Sequence, residues 1–218
     1  MIFTFSFDDG AKSWVEAARI LSHYNIHGTF NVVLRNVVHK RVKTRPKMFP
    51  DANVLTWSEL KYIESLGHEI ASHGTRHVDL PMCSAAELWL EVRASKTVFD
   101  ERGFKVDNYA CAFNTWDKDV RDYALRYYKV FRAGVGVNQH PPDGNVYHAM
   151  DGTKALEYVK ANPGKPEWIV GLWHNVDPVK FEETVRRFKS LGVPSLSVRE
   201  IYGGKDKNPS AETLSSKT

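Results

Sequence analysis

Met1-Ile2-Phe3-Thr4-Phe5-Ser6-Phe7-Asp8-Asp9-Gly10 opens the chain. Phe3, Phe5 and Phe7 alternate with Thr4 and Ser6, the two-residue period of a β-strand, in which successive side chains point to opposite faces. Asp8, Asp9 and Gly10 end the run, since Asp-Gly favours a turn. A first strand that stops here delivers two adjacent carboxylates at its C-terminal end.

Beyond this strand, helical and extended periods take turns along the chain. Trp14, Ala17, Ala18 and Leu21 recur at helical spacing within residues 13–24, and 28–34 reads as a second strand. Residues 35–53 have no clear period and read as a long loop, which in a compact domain is usually functional or mobile. Thr56 and Glu59 form a capping box, with Leu55 as its staple, and open a helix that Gly67 closes. After a short strand at 68–72, Ser84 and Glu87 repeat the box ahead of a helix carrying Leu88, Leu90, Val92 and Val98, ended by Gly103.

Strands at 108–113 and 129–133 flank a helix over about 117–127, and 145–150 reads as a further strand. A short helix at 155–160 leads to a buried strand at 167–173 that ends in His174. Phe181, Val185, Phe188 and Leu191 mark an amphipathic helix, which Gly192 terminates before a last strand at 195–198. This alternation predicts an α/β fold with a parallel sheet, and seven or eight such units favour a closed barrel over an open sheet. In parallel barrels the reactive residues gather at the C-terminal strand ends, where Asp8, Asp9, His73 and His174 all fall.

The composition fits one folded domain. The chain has 218 residues, 42% of them hydrophobic and 26% charged, enough to bury a core in a single unit spanning residues 1–202. Residues 203–218 are almost entirely small or polar and read as a disordered tail. A formal charge of +4, without a long run of one sign, does not support a nucleic-acid partner. The two cysteines, Cys83 and Cys111, make no disulfide framework, and Cys111 reads as a small buried hydrophobe. No segment reaches the roughly 20 apolar residues of a membrane helix, and the chain enters its first strand without a leader pattern. The expectation is a cytoplasmic protein, unless a leader has been removed.

Three constellations carry chemistry. Two carboxylates side by side, Asp8 and Asp9, repel each other, and a nearby cation relieves that repulsion. His73-Gly74-Thr75-Arg76-His77 places two imidazoles where both can reach one metal ion. An Asp with two His is a three-ligand set that leaves metal positions open for water and substrate, which suits hydrolysis. The third is Leu172-Trp173-His174-Asn175, a histidine at the end of an apolar strand, readable either as a proton donor or as a hydrogen-bonded structural residue.

With these motifs in view, the chain resembles the polysaccharide deacetylases of the NodB-homology type, carbohydrate esterase family 4, from Phe3 to about Val198. The family's Thr-Phe-Asp-Asp-Gly is matched by Ser6-Phe7-Asp8-Asp9-Gly10, and its His-Ser/Thr-x-x-His by His73 to His77, led in by Gly67-His68-Glu69-Ile70-Ala71-Ser72. The resemblance implies a deformed (β/α) barrel of seven or eight parallel strands. It implies Asp8 as catalytic base, Asp9, His73 and His77 as ligands of one divalent ion, and His174 as general acid; Zn2+ is the expected ion, although an Asp and two His suit other divalent ions too. The implied substrate is an N-acetylated carbohydrate.

The chain also departs from the pattern. The family's third motif, often Arg-x-Pro-x-Gly, corresponds to Tyr109-Ala110-Cys111-Ala112-Phe113-Asn114, which lacks the Arg, the prolines and the glycine. Arg132, in Lys129-Val130-Phe131-Arg132-Ala133-Gly134, is the candidate replacement that orients the base. The fourth motif's Asp-Trp pair is not recognisable, and Trp173 stands where the family usually has Leu. Phe113, Asn114 and Trp173 are the candidate substrate contacts. Trp116 and Tyr147 are also flat enough to stack on sugars, although aromatic residues at such positions are more often core. The altered walls leave open a hydrolase of another linear or cyclic amide, or a carbohydrate-binding pseudoenzyme. Retention of Asp8, which catalysis requires and metal coordination does not, counts against the latter.

Overall fold

The computed structural model describes residues 1–38 and 53–203. Most of the expected long loop and nearly all of the expected tail lie outside the described residues. In chain order the elements are β1 (Ile2–Asp9), α1 (Trp14–His23), β2 (Thr29–Val32), α2 (Leu34–Val38), α3 (Trp57–Ser65) and β3 (Glu69–Ser72). There follow α4 (Ala85–Trp89), a π-helical segment (Leu90–Ala94), α5 (Ser95–Glu101), β4 (Asn108–Ala110), α6 (Lys118–Ala124), β5 (Val130–Val135) and β6 (Asn138–Gln139). The chain continues through β7 (Val146–Asp151), α7 (Gly152–Ala161), β8 (Glu167–Trp173), α8 (Pro178–Ser190) and α9 (Val198–Gly203).

Seven parallel strands run β1-β2-β3-β4-β5-β7-β8, and β8 pairs back onto β1 from Ile2↔Trp168 to Phe7↔Trp173, closing the barrel. The closure is uneven. β3 and β4 share a single register pair, Ser72↔Tyr109, and the β5–β7 ladder slips between Arg132 and Val135. The short β6 lies antiparallel on the lower part of β8, where Asn138 pairs with Trp168.

Alternation along β1 sorts its side chains between two layers. Phe3, Phe5 and Phe7 face the helices, where Phe5 packs edge-on against Phe181 and Phe188 and Phe7 packs against Trp14. Each phenyl group so buried contributes roughly 1.5–3 kcal/mol. Thr4, Ser6 and Asp8 point into the barrel; the Trp168 indole N–H donates to Thr4 Oγ1 at 2.8 Å, and the Asn31 amide donates to Ser6 Oγ at 2.9 Å. The lower barrel interior is a second apolar cluster, formed by Val130, Tyr147, Ala149, Trp168, Val170, Val198 and Ile201.

Three expected elements differ, the first being the strand expected at 108–113, which stops at Ala110 because residues 112–114 turn into a short helical segment. Residues 195–198 make only an isolated bridge, Phe3↔Ser195, and Val198 begins α9. Ser197 and Glu200 form a capping box there: Glu200 Oε2 accepts from the Ser197 N–H at 2.7 Å, and the Glu200 N–H donates to Ser197 Oγ at 3.3 Å. The Val198 and Arg199 N–H groups donate to Thr29 Oγ1 and Glu69 Oε2, so α9 closes the bottom of the barrel. The start of the expected long loop is helical in α2, because the Leu34 and Arg35 N–H groups find the carbonyls of Gly74 and Thr75. These are partners distant in sequence. Both capping boxes expected at Thr56 and Ser84 are present. Among the described residues no helix is long and apolar enough to cross a membrane.

Candidate active site

The C-terminal strand ends bring Asp8, Asp9, His73 and His174 to one mouth of the barrel, and Arg132 reaches it from within β5. Asp8 continues the inward parity of Thr4 and Ser6. Strict alternation would send Asp9 the other way, but its φ of 91° turns the chain so that its carboxylate joins Asp8. Asp tolerates this region better than most residues, and Gly10, at φ 104°, extends the turn. The Asn36 amide fixes the turn by donating to the Asp9 carbonyl at 2.7 Å.

His73 follows β3, and its Nδ1 lies 2.8 Å from the Ala110 carbonyl oxygen. A carbonyl only accepts, so Nδ1 carries the proton and Nε2 of the neutral ring is left with its lone pair. Burial pushes the His73 imidazole below its ordinary pKa, against the pull of the Asp8 charge, which favours that neutral form. The bare Nε2 sits 3.4 Å from Asp8 Oδ2 and 3.7 Å from Asp9 Oδ1. His77, at φ 60°, brings its Nε2 to 3.3 Å from the same Asp9 oxygen.

Asp9 Oδ1 is buried and has no hydrogen-bond partner among the described residues. One ligand atom each from Asp9, His73 and His77 lies within 4.8 Å of the others. A buried carboxylate oxygen without a donor is costly unless a cation satisfies it. The donor set, one carboxylate and two imidazoles, suits a divalent transition metal with further positions open to water. The residues present therefore fit a metal site.

Asp8 is held from two other sides. Arg132 Nη1 donates to Asp8 Oδ1 at 2.7 Å, and Nη2 pairs with Oδ2. The Asn31 amide donates to Oδ1 at 2.9 Å. Burial works to raise the Asp8 pKa, but the charge of Arg132 and its hydrogen bonds outweigh it, and the carboxyl is held well below the usual carboxylate range. The Arg132 guanidinium is correspondingly raised: burial works against its charge, and Asp8 more than compensates.

His174 is exposed at the rim and adds a smaller favourable field at Asp8. Its carbonyl accepts from the Trp14 indole N–H at 2.8 Å, and Ser13 Oγ donates to Asn175 Oδ1 at 2.6 Å, which ties the segment after β8 to the start of α1.

The expected substrate contacts divide. Phe113 stands at the mouth, 59% exposed, with its ring edge-on to His77 at 4.4 Å between centroids. Phe113 and Asn114 take left-handed backbone conformations in succession, φ 58° and 57°, an unusual turn for two residues with side chains. Trp173 does not face the site. It pairs in register with Phe7, whose parity is outward, and stacks on Phe5 at 5.1 Å beneath Phe181. Tyr147 lies inside the barrel, fully buried, where its hydroxyl donates to Asn108 Oδ1 at 3.0 Å; Trp116 packs against Phe131. Tyr147 is thereby closed to a sugar, and Trp116 is half-buried. Sequence reasoning passed over Asn31, although a polar amide in the otherwise apolar run of β2 was a signal for an inward-facing partner.

In sequence, residues 2–128 match the polysaccharide deacetylase family, more than half of the chain. No curated protein sequence matches the chain. Its fold is similar to that of the Xyl-CE4 domain of a multidomain xylanase from the hindgut metagenome of Trinervitermes trinervoides, with TM-score 0.62, 17% identity and coverage of 95% of this chain and 92% of that one. It is also similar to the peptidoglycan deacetylase PdaC from Bacillus subtilis, with TM-score 0.59, 15% identity and coverage of 94% and 91%. A third similar structure is BA3943, a CE4 family pseudoenzyme from Bacillus anthracis, with TM-score 0.64, 14% identity and coverage of 92% and 64%. At these identities the likeness establishes the fold.

Proposed function

Because the chain belongs to the polysaccharide deacetylase family, hydrolases that act on carbon–nitrogen bonds, we propose that it removes the N-acetyl group from an amino sugar of an oligosaccharide, polysaccharide or glycolipid. Asp8 is the base and His174 the acid in this reading, and Asp9, His73 and His77 hold one divalent ion, most simply Zn2+. The observation that carries it is the pairing of Asp8 with Arg132 directly beside the Asp9, His73 and His77 cluster.

A divalent ion held by these three residues supplies Lewis acidity, making water a better proton donor and the acyl carbonyl a better electrophile. Asp8, kept ionised by Arg132, accepts the proton of the attacking water as the oxygen–carbon bond forms. Arg132 and Asn31 fix the carboxylate so that it waits in one orientation, which removes a reorganisation cost from the transition state. His174, at the open rim, donates a proton to the departing nitrogen as the carbon–nitrogen bond breaks, so the sugar leaves as a neutral amine and the acyl group as acetate. Phe113 lies over His77 at the entrance and offers an apolar edge against the acyl group or the sugar ring.

The experiment is acetate release by the zinc-loaded protein from a series of N-acetylglucosamine oligomers, run beside simple linear and cyclic amides. Release from the oligomers alone supports the reading. Hydrolysis of the amides with the oligomers untouched would replace the proposed substrate by another C–N compound.

A further inference from the structure

We propose that Glu91 is a positioning residue that presets the His73 to His77 loop for metal binding; the inference rests on the metal-site reading above. Glu91 lies on the π-helical segment and its side chain is 1% exposed. An amphipathic reading of this helix puts Leu90 inside and Glu91 outside. The molecule does the reverse: Leu90 is 40% exposed, while Glu91 and Val92 are buried. A π turn contains an extra residue and changes which neighbours share a face, and such turns often accompany functional sites.

The buried carboxylate is spent wholly on the loop. Glu91 Oε2 accepts from the Thr75 N–H at 2.7 Å and the Arg76 N–H at 2.9 Å, and Oε1 accepts from Arg76 Nε at 2.6 Å. Thr75 Oγ1 adds a bond to the Leu90 carbonyl at 2.6 Å. The loop's opposite edge is held by α2, whose Leu34 and Arg35 N–H groups donate to the Gly74 and Thr75 carbonyls. Gly74 permits the close approach: at φ +81° a Cβ would stand 2.9 Å from Glu91 Oε2 and 3.0 Å from the Tyr109 hydroxyl. Both residues held by Glu91 sit between the two histidines, so releasing them frees His77 from His73. Partners that orient metal ligands usually change metal affinity about 10–100-fold when removed.

Glu91→Gln keeps the shape but turns an NH2 group toward donors, so it cannot satisfy both backbone N–H groups and Arg76 together. The test is zinc affinity of the full chain, measured by competition with a chromogenic chelator, with Val92→Ala as control. Val92 is fully buried in the same turn, and shortening it loosens the helix without touching the loop bonds. Expected are a zinc Kd raised about tenfold or more by Glu91→Gln and, in Val92→Ala, a lower melting temperature with zinc Kd within about twofold of wild type. If Glu91→Gln weakens zinc binding no more than Val92→Ala does, the positioning role is overturned and the metal site stands. If the wild-type chain binds no zinc, the metal-site reading itself falls, and this inference with it.

Discussion

Arg132 Nη1 donates to Asp8 Oδ1 at 2.7 Å across 124 residues of chain, with the two side chains 1% and 3% exposed. The guanidinium enters from β5 and the carboxylate from β1, on opposite sides of the barrel mouth. A buried pair of this kind contributes little over an apolar replacement, but breaking it strands a charge at a cost of about 3–5 kcal/mol. Arg132→Met is therefore expected to lower unfolding stability by about that amount. Asp8→Asn with Arg132→Met should cost less than the sum of the two single changes in a double-mutant cycle. Additive losses would mean the pair is not coupled.

The same substitution separates chemistry from metal binding. Arg132 touches none of Asp9, His73 or His77 by a hydrogen bond among the described residues, so Arg132→Met should keep zinc stoichiometry near wild type. Loss of the fixed base should lower turnover by about 10²-fold or more. Acetate release per bound zinc reports the split.

Trp173 and Phe113 should behave in opposite ways. Trp173 fills space beside Gly152 and Gly171, where an added Cβ would meet its ring at 2.1 and 2.8 Å, so Trp173→Leu leaves a core cavity and should cost about 2–4 kcal/mol of stability with KM unchanged. Phe113 is exposed at the mouth, and Phe113→Ala should leave stability nearly unchanged while raising KM about three- to tenfold, the worth of one aromatic contact. Thermal melts and steady-state kinetics on both variants decide the matter.

His68 gives the fold a pH dependence of its own. Its Nε2 donates to the Ala18 carbonyl at 2.9 Å and its Nδ1 accepts from the Gly28 N–H at 3.0 Å, so both nitrogens are committed in the neutral form. Burial lowers its pKa from the ordinary 6.5 to about 4, with His27 adding to the drop and the Ala18 carbonyl and Glu200 opposing it. Between these values the unfolded chain binds a proton that the folded chain refuses. Stability is thus full above 6.5, falls as pH drops toward 4, and levels off below, a loss approaching about 3 kcal/mol. His68→Gln can keep both bonds without titrating, and urea unfolding at pH 7 and pH 5 should show a smaller difference in that variant than in wild type.

The parts of this molecule that were legible in the sequence are those with a local cause. The Phe3, Phe5, Phe7 alternation, the Thr56 and Ser84 capping boxes and the strand–helix repeat all act over a few residues, and the barrel follows from them. The four-residue spacing likewise pointed to His73 and His77 as neighbours, and the family resemblance added Asp9. Trp173 was misplaced because residues 167–173 are buried on both faces and so carry no parity. The last expected strand, at 195–198, failed because the Ser197–Glu200 box specifies a helix start. Glu91 left no local trace at all: its partners are fifteen and sixteen residues away, and a charged residue in a helix reads as solvent-facing until the loop it holds is in place.

In the proposed reaction Asp8 acts as a base beside, and separate from, a metal site. Zinc content and acetate release should be measured together on wild type and Asp8→Asn with N-acetylglucosamine oligomers as substrate. Expected is about one zinc per chain in both proteins, with acetate released by wild type and lost in the variant. Undiminished acetate release from Asp8→Asn, or loss of zinc together with activity, would contradict it.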